Sequence, residues 1–382
     1  MIYFDNAATS FPKPAGVLRE TSRCIKNYCG NPGRGGHYMS RISAERVYET
    51  REIIADFFGS SYPENVIFTY NDTYALNMAI KGIVKKGDHV LISDMEHNSV
   101  YRPIASLKEK GVIEYDIFGT EPEFSDPSEK ICDNIRRLIK RETRLLVCTH
   151  SPNICSGTLP VEEIGKICRD NGIIFILDAA QSAGHISVNM EKMNIDILCA
   201  PGHKGLYGLQ GSGFMILGDN IKLLPFAEGG SGVNSLSPFM PEDPPERYEA
   251  GTLSLPAIVS LCEGIKFVQS VGVSDIHAHE SELFLKLSDM LSCLRRVKVY
   301  SDDRLGSVLL FNIEGVPSER VAEALDRKRI CVRSGFHCSP LGHNTLGTGE
   351  NGAVRVSFGY FNTMRELDVF YSALKGILHD GI

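Results

Sequence analysis

The sequence predicts an α/β protein: a large domain on an open, mostly parallel mixed sheet flanked by helices, and a smaller α+β domain. Two apolar runs, IIFIL at residues 173–177 and IDILCA at residues 195–200, have the length and β-branched content of fully buried strands. From about Pro256 the pattern changes to long amphipathic helices, then a strand, a helix and another strand. The chain has 382 residues, 43% of them hydrophobic, which is enough to bury a large core and form two domains.

The first third of the chain alternates helices, turns and strands. It opens with the short strand IYF, which we expect to join the small domain, and with DNAATS, whose Asn and Ser favour a turn. Helices are expected over residues 14–28 and 40–58. The strand VIFTY and the helical segment NDTYALNMAIKGI then occupy residues 66–83. A strand, a polar turn and a helix in this order present backbone N–H groups to a phosphate.

Polar residues end both central apolar runs. Asp178 and Gln181 follow the first run, and His203 and Lys204 follow the second. Ligands of open α/β sheets bind at the carboxyl ends of the strands, so we expect all four side chains in one crevice. Pyridoxal phosphate uses such a pair, because a lysine amine forms an imine with its aldehyde and a carboxylate keeps its ring nitrogen protonated. Alternatively, Asp178 caps a helix that begins at Ala179, and Lys204 is a solvated loop lysine.

Four segments, DAAQSAGH, PGHKGLYG, RYEAGT and RSGFHC, together resemble the cysteine desulfurase and selenocysteine lyase family. These are pyridoxal-phosphate enzymes of transferase fold type I, on the class V aminotransferase fold. RSGFHC is similar to the group whose cysteine lies on a short loop. Matching segments run from Asp5 to Asp368. We therefore expect a cofactor-binding domain over residues 15–255 and a small domain from residues 1–14 and 256–382.

The resemblance implies a set of contacts to pyridoxal phosphate: Lys204, Asp178, Gln181, His203, His97, Asn153, Asp72, Thr73 and Thr252. His97 would stack on the ring and move protons, and Asn153 and Gln181 would share the phenolic oxygen. Thr252 would reach across a dimer interface to the partner's cofactor. A homodimer is therefore expected.

Two departures from the family pattern affect the phosphate site. The family has a glycine and two threonines where this chain has Asn71, Asp72 and Thr73. A carboxylate beside a phosphate dianion is unfavourable, so the Asp72 side chain is predicted to point away, or the site is weaker than usual. Pro201 replaces a serine whose hydroxyl binds phosphate in many relatives. His203 and Thr73 would then carry more of that binding.

The segment RSGFHC places Cys338 in a loop beside His337 and Arg333, polar or cationic neighbours that could favour a thiolate. Arg355 opens the predicted strand RVSFGYF and matches the family arginine that binds the substrate carboxylate, a role suited to a planar two-pronged donor. In the alternative interpretation Cys338 is an inert loop thiol. Phe336 replaces a second histidine of many relatives, which leaves the proton supply of this loop in question.

Further substrate contacts are implied by the resemblance alone. It brings the turn at Ala7 to the mouth of the active site, assigns Asn153 to the substrate as well as the cofactor, and puts a loop with Arg34 and His37 at the entrance. Glu249 in RYEAGT could be a simple surface charge.

The predicted reaction converts L-cysteine to L-alanine and captures the sulfur as a persulfide on Cys338. Arg355 would bind the substrate carboxylate, and Lys204 would move the α-proton. The sulfur would pass to an acceptor, such as a protein, that the sequence does not identify. Alternatives are a selenocysteine lyase acting on L-selenocysteine, a transaminase- or epimerase-like enzyme of this fold, and a non-catalytic sulfur-relay subunit.

Composition argues against several other classes of protein. A net charge of -7 and a pI near 5.9 give no nucleic-acid footprint. No apolar run reaches membrane-spanning length, and MIYFDNAATS does not resemble a signal peptide, so a cytoplasmic location is expected. The eleven cysteines form no CxxC pair and no Cys/His cluster at metal spacing, so neither a metal site nor a disulfide set is expected.

Overall fold

Strands and helices alternate along most of the chain in the computed structural model, which describes residues 1–33, 35–120, 127–300 and 305–380. The strands are β1 (Ile2–Tyr3), β2 (Val66–Thr69), β3 (Asp88–Ser93), β4 (Ile113–Phe118), β5 (Thr143–Thr149), β6 (Ile174–Asp178), β7 (Ile197–Pro201), β8 (Gly213–Leu217), β9 (Val297–Val299), β10 (Val308–Ile313), β11 (Ile330–Cys331), β12 (Arg333–Gly335) and β13 (Ala353–Ser357). The helices are α1 (Ala15–Asn27), α2 (Tyr38–Phe58), α3 (Asp72–Ile83), α4 (Asn98–Glu109), α5 (Ser128–Leu138), α6 (Val161–Asn171), α7 (Leu255–Val271), α8 (Val273–Ser292), α9 (Ser318–Arg327), α10 (Pro340–Thr345) and α11 (Met364–Asp380), with a 3₁₀ turn at Pro63–Asn65.

A seven-stranded sheet has the order β2-β8-β7-β6-β5-β3-β4. Strand β8 runs antiparallel to both of its neighbours, and the other neighbouring pairs are parallel. The predicted mostly parallel, mixed sheet is confirmed. Both faces are buried, because Phe175 and Leu177 of β6 pack into one core and Ile176 packs into the other. Burial on both faces explains why the strand is continuously apolar.

Helix α7 covers one face of this sheet. Leu255, Ile258 and Leu261 lie in the same core cluster as Phe175, although the predicted division at residue 255 assigns most of α7 to the small domain. The domain boundaries stay a prediction. In the described part of the chain no single helix is long and apolar enough to cross a membrane, and α7 and α8 meet that test only as a pair bent by 79°.

The C-terminal part of the chain forms a second sheet and core. Strands β12, β13, β10 and β9 form an antiparallel sheet in that order. Helices α8, α9 and α11 pack against it through a core that contains Phe284, Phe311 and Phe370. Strand β1 pairs in parallel with β11, so the first residues of the chain join this α+β part.

A buried ion pair joins α8 to the turn after β6. His185 Nδ1 lies 2.7 Å from Glu280 Oε2. Burial lowers the pKa of His185, but the Glu280 carboxylate outweighs burial and raises that pKa overall. The His185 ring also lies against Gly205, where an added Cβ would come within 2.4 Å of the ring. The pair therefore helps to place the turn that contains Lys204.

Candidate active site

The carboxyl ends of the central strands surround a cleft. Its walls are formed by Asn71, Asp72, Thr73, Met95, His97, Ser99, Thr149, Asn153, Asp178, Ala180, Gln181, Pro201, His203 and Lys204. Every residue predicted to bind the cofactor is among them except Thr252. Parallel strands end at the same edge of a sheet, which explains how residues more than 100 positions apart share one site.

Asp178 is the last residue of β6 and is almost fully buried. Its Oδ1 accepts a hydrogen bond from the Ala180 N–H at 2.9 Å. Burial raises the pKa of Asp178, although this N–H and the Lys204 amine act in the opposite direction. The alternative that Asp178 caps a helix is wrong, because the residues after Ala179 form turns.

Lys204 lies in a turn directly after β7. Burial lowers the pKa of Lys204, and the nearby Asp178 and Asp72 carboxylates offset only part of that effect. Glycines allow the turn after β6 to pack closely against the turn that contains Lys204. Gly184 has a φ of 87°, and an added Cβ there would lie 2.2 Å from the Gly205 carbonyl oxygen. Lys204 therefore lines the cleft and is not a solvated loop lysine.

Asp72 is the first residue of α3, which Asn71 caps by accepting from the Tyr74 N–H at 2.9 Å. Its side chain is 7% exposed, and its Oδ1 has no hydrogen-bond partner among the described residues. Burial and the neighbouring Asp178 carboxylate raise the pKa of Asp72 well above its ordinary value. The cleft therefore holds a second carboxyl group close to the Asp178–Lys204 pair, and this group is harder to ionise than an exposed aspartate.

His97 is the N-cap of α4. Its Nδ1 accepts a hydrogen bond from the Ser99 N–H at 3.1 Å and lies 2.8 Å from the Ser99 hydroxyl. Since Nδ1 is an acceptor, a neutral His97 ring carries its proton on Nε2. Burial, helped by the positive charge of Lys204, lowers the pKa of His97 to about 4. The ring is therefore neutral at physiological pH.

Two amide side chains connect the cleft to other parts of the chain. Asn153 donates from Nδ2 to the His337 carbonyl oxygen at 2.7 Å, and its buried Oδ1 has no partner within the described ranges. Gln181 donates from Nε2 to the Ala7 carbonyl oxygen at 3.0 Å. The Ala7 N–H in turn donates to the Ser357 hydroxyl at 2.9 Å. The cysteine loop and the N-terminal turn are thus both bound to the cleft wall.

The N-terminal turn also supports the residue before Lys204. The His203 carbonyl oxygen accepts hydrogen bonds from the Ser10 N–H at 3.1 Å, the Thr9 hydroxyl at 3.1 Å and the Lys13 amine at 2.9 Å. Burial and the nearby Lys204 and Lys13 charges lower the pKa of His203 to about 4. His203 Nδ1 is buried and has no partner in the part of the chain that the structure describes.

Cys338 is exposed and lies in the loop after β12, between the buried residues His337 and Ser339. Its carbonyl oxygen accepts a hydrogen bond from the Asn98 N–H, at the start of α4, at 2.7 Å. The next residue, Ser339, donates from its hydroxyl to the Glu96 carbonyl oxygen at 3.2 Å. Both contacts flank His97 in the sequence. The loop of the C-terminal part is therefore held beside a residue of the cleft.

His337 does not supply a positive charge to Cys338. Burial, followed by the charge of Arg355, lowers the pKa of His337 to about 2, so only Arg333 of the two predicted neighbours is cationic. His343 was missed in the sequence analysis, and it lies 3.1 Å from His337. The ring of Phe336 packs edge-on against His343 at 5.6 Å. A second histidine therefore does reach this loop. Its position in the glycine-rich stretch after Cys338 is the feature of the sequence that could have indicated this contact.

Arg355 lies in the middle of β13 rather than at its start, and it is fully buried. Its Nη2 donates to Asp5 Oδ1 at 2.8 Å, and its Nη1 donates to the Asn153 carbonyl oxygen at 3.0 Å. The Nε has no partner among the residues described. Asp5 was not predicted as a site residue, yet it holds the guanidinium group close to the cleft wall.

Thr252 is exposed and lies in a different cleft, which it shares with Arg51 and Glu249. Glu249 forms a 2.6 Å ion pair with Arg51, and each of these side chains is only 6% exposed. The surface-charge alternative for Glu249 is therefore wrong. His37 caps α2 by accepting from the Ser40 N–H at 3.3 Å, whereas Arg34 lies outside the described residues.

Residues 2–370 match the aminotransferase class-V family. The chain belongs to this family. A probable cysteine desulfurase of Methanothermobacter thermautotrophicus is 33% identical over 98% of this chain and 94% of that protein. One of Pyrococcus abyssi is 31% identical over 99% of this chain and 94% of that protein. The apo structure of a cysteine desulfurase from Thermococcus onnurineus NA1 is 31% identical, has a TM-score of 0.90, and is matched over 100% of this chain and 95% of that one.

These matches confirm the predicted fold. The mixed central sheet with helices on both faces is that of the class V aminotransferases, transferase fold type I. Because the matches span almost the whole chain, they include both the cleft and the loop with Cys338.

Asp72→Asn is expected to stabilise this class V aminotransferase at neutral pH. Folding raises the pKa of Asp72, so above about pH 4 the unfolded chain loses a proton that the folded chain keeps. Stability is then lost as the pH rises from the unfolded pKa toward the folded pKa. We expect Asn to recover about 1–3 kcal/mol, with a difference that grows as the pH rises from about 4 through the neutral range.

Urea unfolding of both proteins across this pH range measures the effect. Asp219→Asn, at an exposed aspartate, is the matched control and should leave the pH profile unchanged. An Asp72→Asn profile parallel to that of the parent would show that Asp72 is ionised in the folded protein.

Proposed function

We propose that this chain is a pyridoxal-phosphate-dependent cysteine desulfurase, which converts L-cysteine to L-alanine and takes the sulfur onto Cys338. The observation that carries the proposal is the position of the Cys338 loop, bound at Asn98 beside His97 of the cleft that contains Lys204 and Asp178. The two relatives and the solved structure that share about a third of this sequence are named as cysteine desulfurases, which supports the same function.

The residues of the cleft fit pyridoxal phosphate. Buried polar atoms without a partner in the described residues, His203 Nδ1 and Asn153 Oδ1, indicate that a polar ligand or water completes the site. The start of α3 at Thr73 offers N–H groups for a phosphate. Asp178 would keep the ring nitrogen of the cofactor protonated, and the Lys204 amine would bond to the aldehyde carbon of the cofactor. When bound, the cofactor supplies an electron sink for the substrate α-carbon.

Other residues around the cleft would bind the substrate and transfer its α-proton. Arg355 would bind the substrate carboxylate, with Asp5 and the Asn153 carbonyl oxygen holding its guanidinium group in place. Burial lowers the pKa of Lys204, which increases the fraction present as the free amine that can accept the substrate α-proton. The neutral His97 ring would donate from Nε2 and cover one face of the site.

Cys338 would carry the sulfur step. Its Sγ forms a bond to the substrate sulfur while the substrate Cβ–S bond breaks. The enzyme thiol and L-cysteine thereby become an enzyme persulfide and L-alanine, with the Cβ electron pair taking up a proton. Because Cys338 is exposed, its persulfide is accessible to an external acceptor, such as a second protein.

Lys204 is expected to be the lysine that binds the cofactor covalently. Borohydride reduction followed by peptide mapping should find the pyridoxyl group on Lys204, and Lys204→Ala should abolish it. Lys13 is a demanding control, because burial lowers its pKa to about 8 and it contacts the same turn. Labelling on Lys13, or on any other lysine, would reject the assignment.

Cys338→Ser should separate the sulfur step from α-proton transfer. A hydroxyl cannot accept sulfur as a thiolate does, so alanine formation from L-cysteine should fall by at least about two orders of magnitude, roughly 3 kcal/mol. Exchange of the substrate α-proton with deuterium, which depends on Lys204, should continue. The measurements are alanine yield and α-deuterium exchange by NMR, with Cys293→Ser, at another exposed cysteine, as the control.

The same assay distinguishes the alternatives. If Cys338→Ser makes alanine from cysteine at the parent rate, Cys338 is not the nucleophile. Efficient turnover of L-selenocysteine alone, with little dependence on Cys338, would indicate a lyase. A keto acid or an inverted substrate without alanine would indicate a transaminase- or epimerase-like enzyme.

A second copy of the chain should complete the cofactor site. The Gly-, Ser- and Pro-rich stretch before Thr252 exposes Leu236 fully and Phe239 by 80%, as expected for residues that pack against a partner. We expect a homodimer in sedimentation. Leu236→Asp combined with Phe239→Asp should weaken dimerisation and cofactor affinity, each by about tenfold or more.

Val369→Asp, at an exposed apolar position of α11, is the control and should leave both quantities unchanged. A monomeric parent that holds a full complement of pyridoxal phosphate would contradict the proposed dimer.

A further inference from the structure

Three buried side chains in and next to the Cys338 loop have no role in the steps above. His337 Nδ1 lies 3.1 Å from His343 Nε2, and His343 Nδ1 lies 2.7 Å from the Thr348 hydroxyl. On the other side of the His337 ring, Nε2 lies 3.3 Å from the carbonyl oxygen of Arg333. His337, His343 and Thr348 are all buried, so bulk water does not compete for these contacts.

The carbonyl oxygen at the Arg333 end determines the direction of each hydrogen bond between the rings. The Arg333 carbonyl oxygen can only accept, so the His337 proton lies on Nε2 and its Nδ1 is an acceptor. His343 must then donate from Nε2 and accept the Thr348 hydroxyl at Nδ1. Burial lowers the pKa of His337 to about 2 and that of His343 to about 4, so both rings stay neutral and keep these roles near neutral pH.

The backbone of the loop needs such support. His337 and Cys338 have φ angles of 51° and 56°, so two consecutive residues with side chains adopt the left-handed conformation. This conformation is unfavourable for residues with a Cβ, and it persists where the surrounding structure holds it. The contacts of the His337 ring, together with those of Asn153 and Asn98 to the two carbonyl oxygens, provide that restraint.

We propose that His343 is a positioning residue for the cysteine chemistry. By donating to His337 Nδ1, it holds the left-handed backbone of the loop and thereby sets the position of Cys338 Sγ. Thr348 acts one step further away. Its hydroxyl lies 2.7 Å from His343 Nδ1 and 3.2 Å from the His343 carbonyl oxygen, and donation to the nearer Nδ1 favours the His343 tautomer that can donate from Nε2. The proposal rests on the proposed function for its catalytic consequence, whereas the restraint of the loop can be measured without any reaction.

His343→Leu removes the donor and should affect only the sulfur step. Alanine formation from L-cysteine should fall by about tenfold or more, since a displacement of about 1 Å is enough to cost that much. Exchange of the substrate α-proton, which depends on Lys204, should stay at the parent rate. Alkylation of Cys338 by iodoacetamide, followed by mass spectrometry, should accelerate by about threefold or more as the loop loosens.

Matched variants separate positioning from general damage. His343→Gln, whose amide offers one donor and one acceptor, should recover most of the turnover and the parent alkylation rate. Thr348→Val should change both in the same direction as His343→Leu, and Thr348→Ser should not. Asn344→Ala, at an exposed residue of the same short helix, should leave both unchanged.

The outcomes that would overturn the proposal are distinct. Equal losses of α-proton exchange and alanine formation in His343→Leu would indicate general damage to the fold, and no change in turnover or alkylation would mean that His343 has no role. If His343→Leu does not fold, equal behaviour of Thr348→Val and Thr348→Ser would overturn it. If the parent itself makes no alanine from cysteine, the proposed function fails, and the alkylation series alone decides the role of His343.

Discussion

Burial of the Lys204 amine beside two carboxyl groups is the interaction on which the cleft depends. An amine that loses its hydration shell without a partner would be strongly destabilising, and Asp178 and Asp72 reduce that cost. Burial, together with the charge of the neighbouring Asp178 carboxylate, raises the pKa of Asp72. These three groups lie where the parallel strands end.

The segments around this centre are arranged to hold it rather than to react. Asn153 and Gln181 use their amide donors on backbone carbonyl groups of the cysteine loop and of the N-terminal turn. The N-terminal turn in turn donates to the carbonyl oxygen of His203, directly before Lys204. The C-terminal sheet and the large sheet therefore meet through side-chain contacts to main-chain atoms. Such contacts hold backbone positions even though they lie in turns and loops.

The histidines of this site share one electrostatic property. Burial, together with nearby positive charges, lowers the pKa values of His97, His203, His337 and His343, so these rings are neutral near pH 7. A neutral ring has one donor and one acceptor, and its partners decide which nitrogen carries the proton. These histidines are therefore suited to orient groups through directed hydrogen bonds. In the proposed reaction, proton transfer to and from carbon is assigned to Lys204.

The buried strands and the polar residues that end them could be predicted from the order of the amino acids. Apolar runs reflect burial on both faces of a sheet, and the ends of parallel strands always meet, so Asp178 and Lys204 could be brought together without coordinates. The positions of Asp72 beside this pair, of Arg51 against Glu249 and of His343 against His337 became known from the three-dimensional structure alone. Each of these depends on contacts between distant segments, whose distances and burial no local pattern of residues encodes.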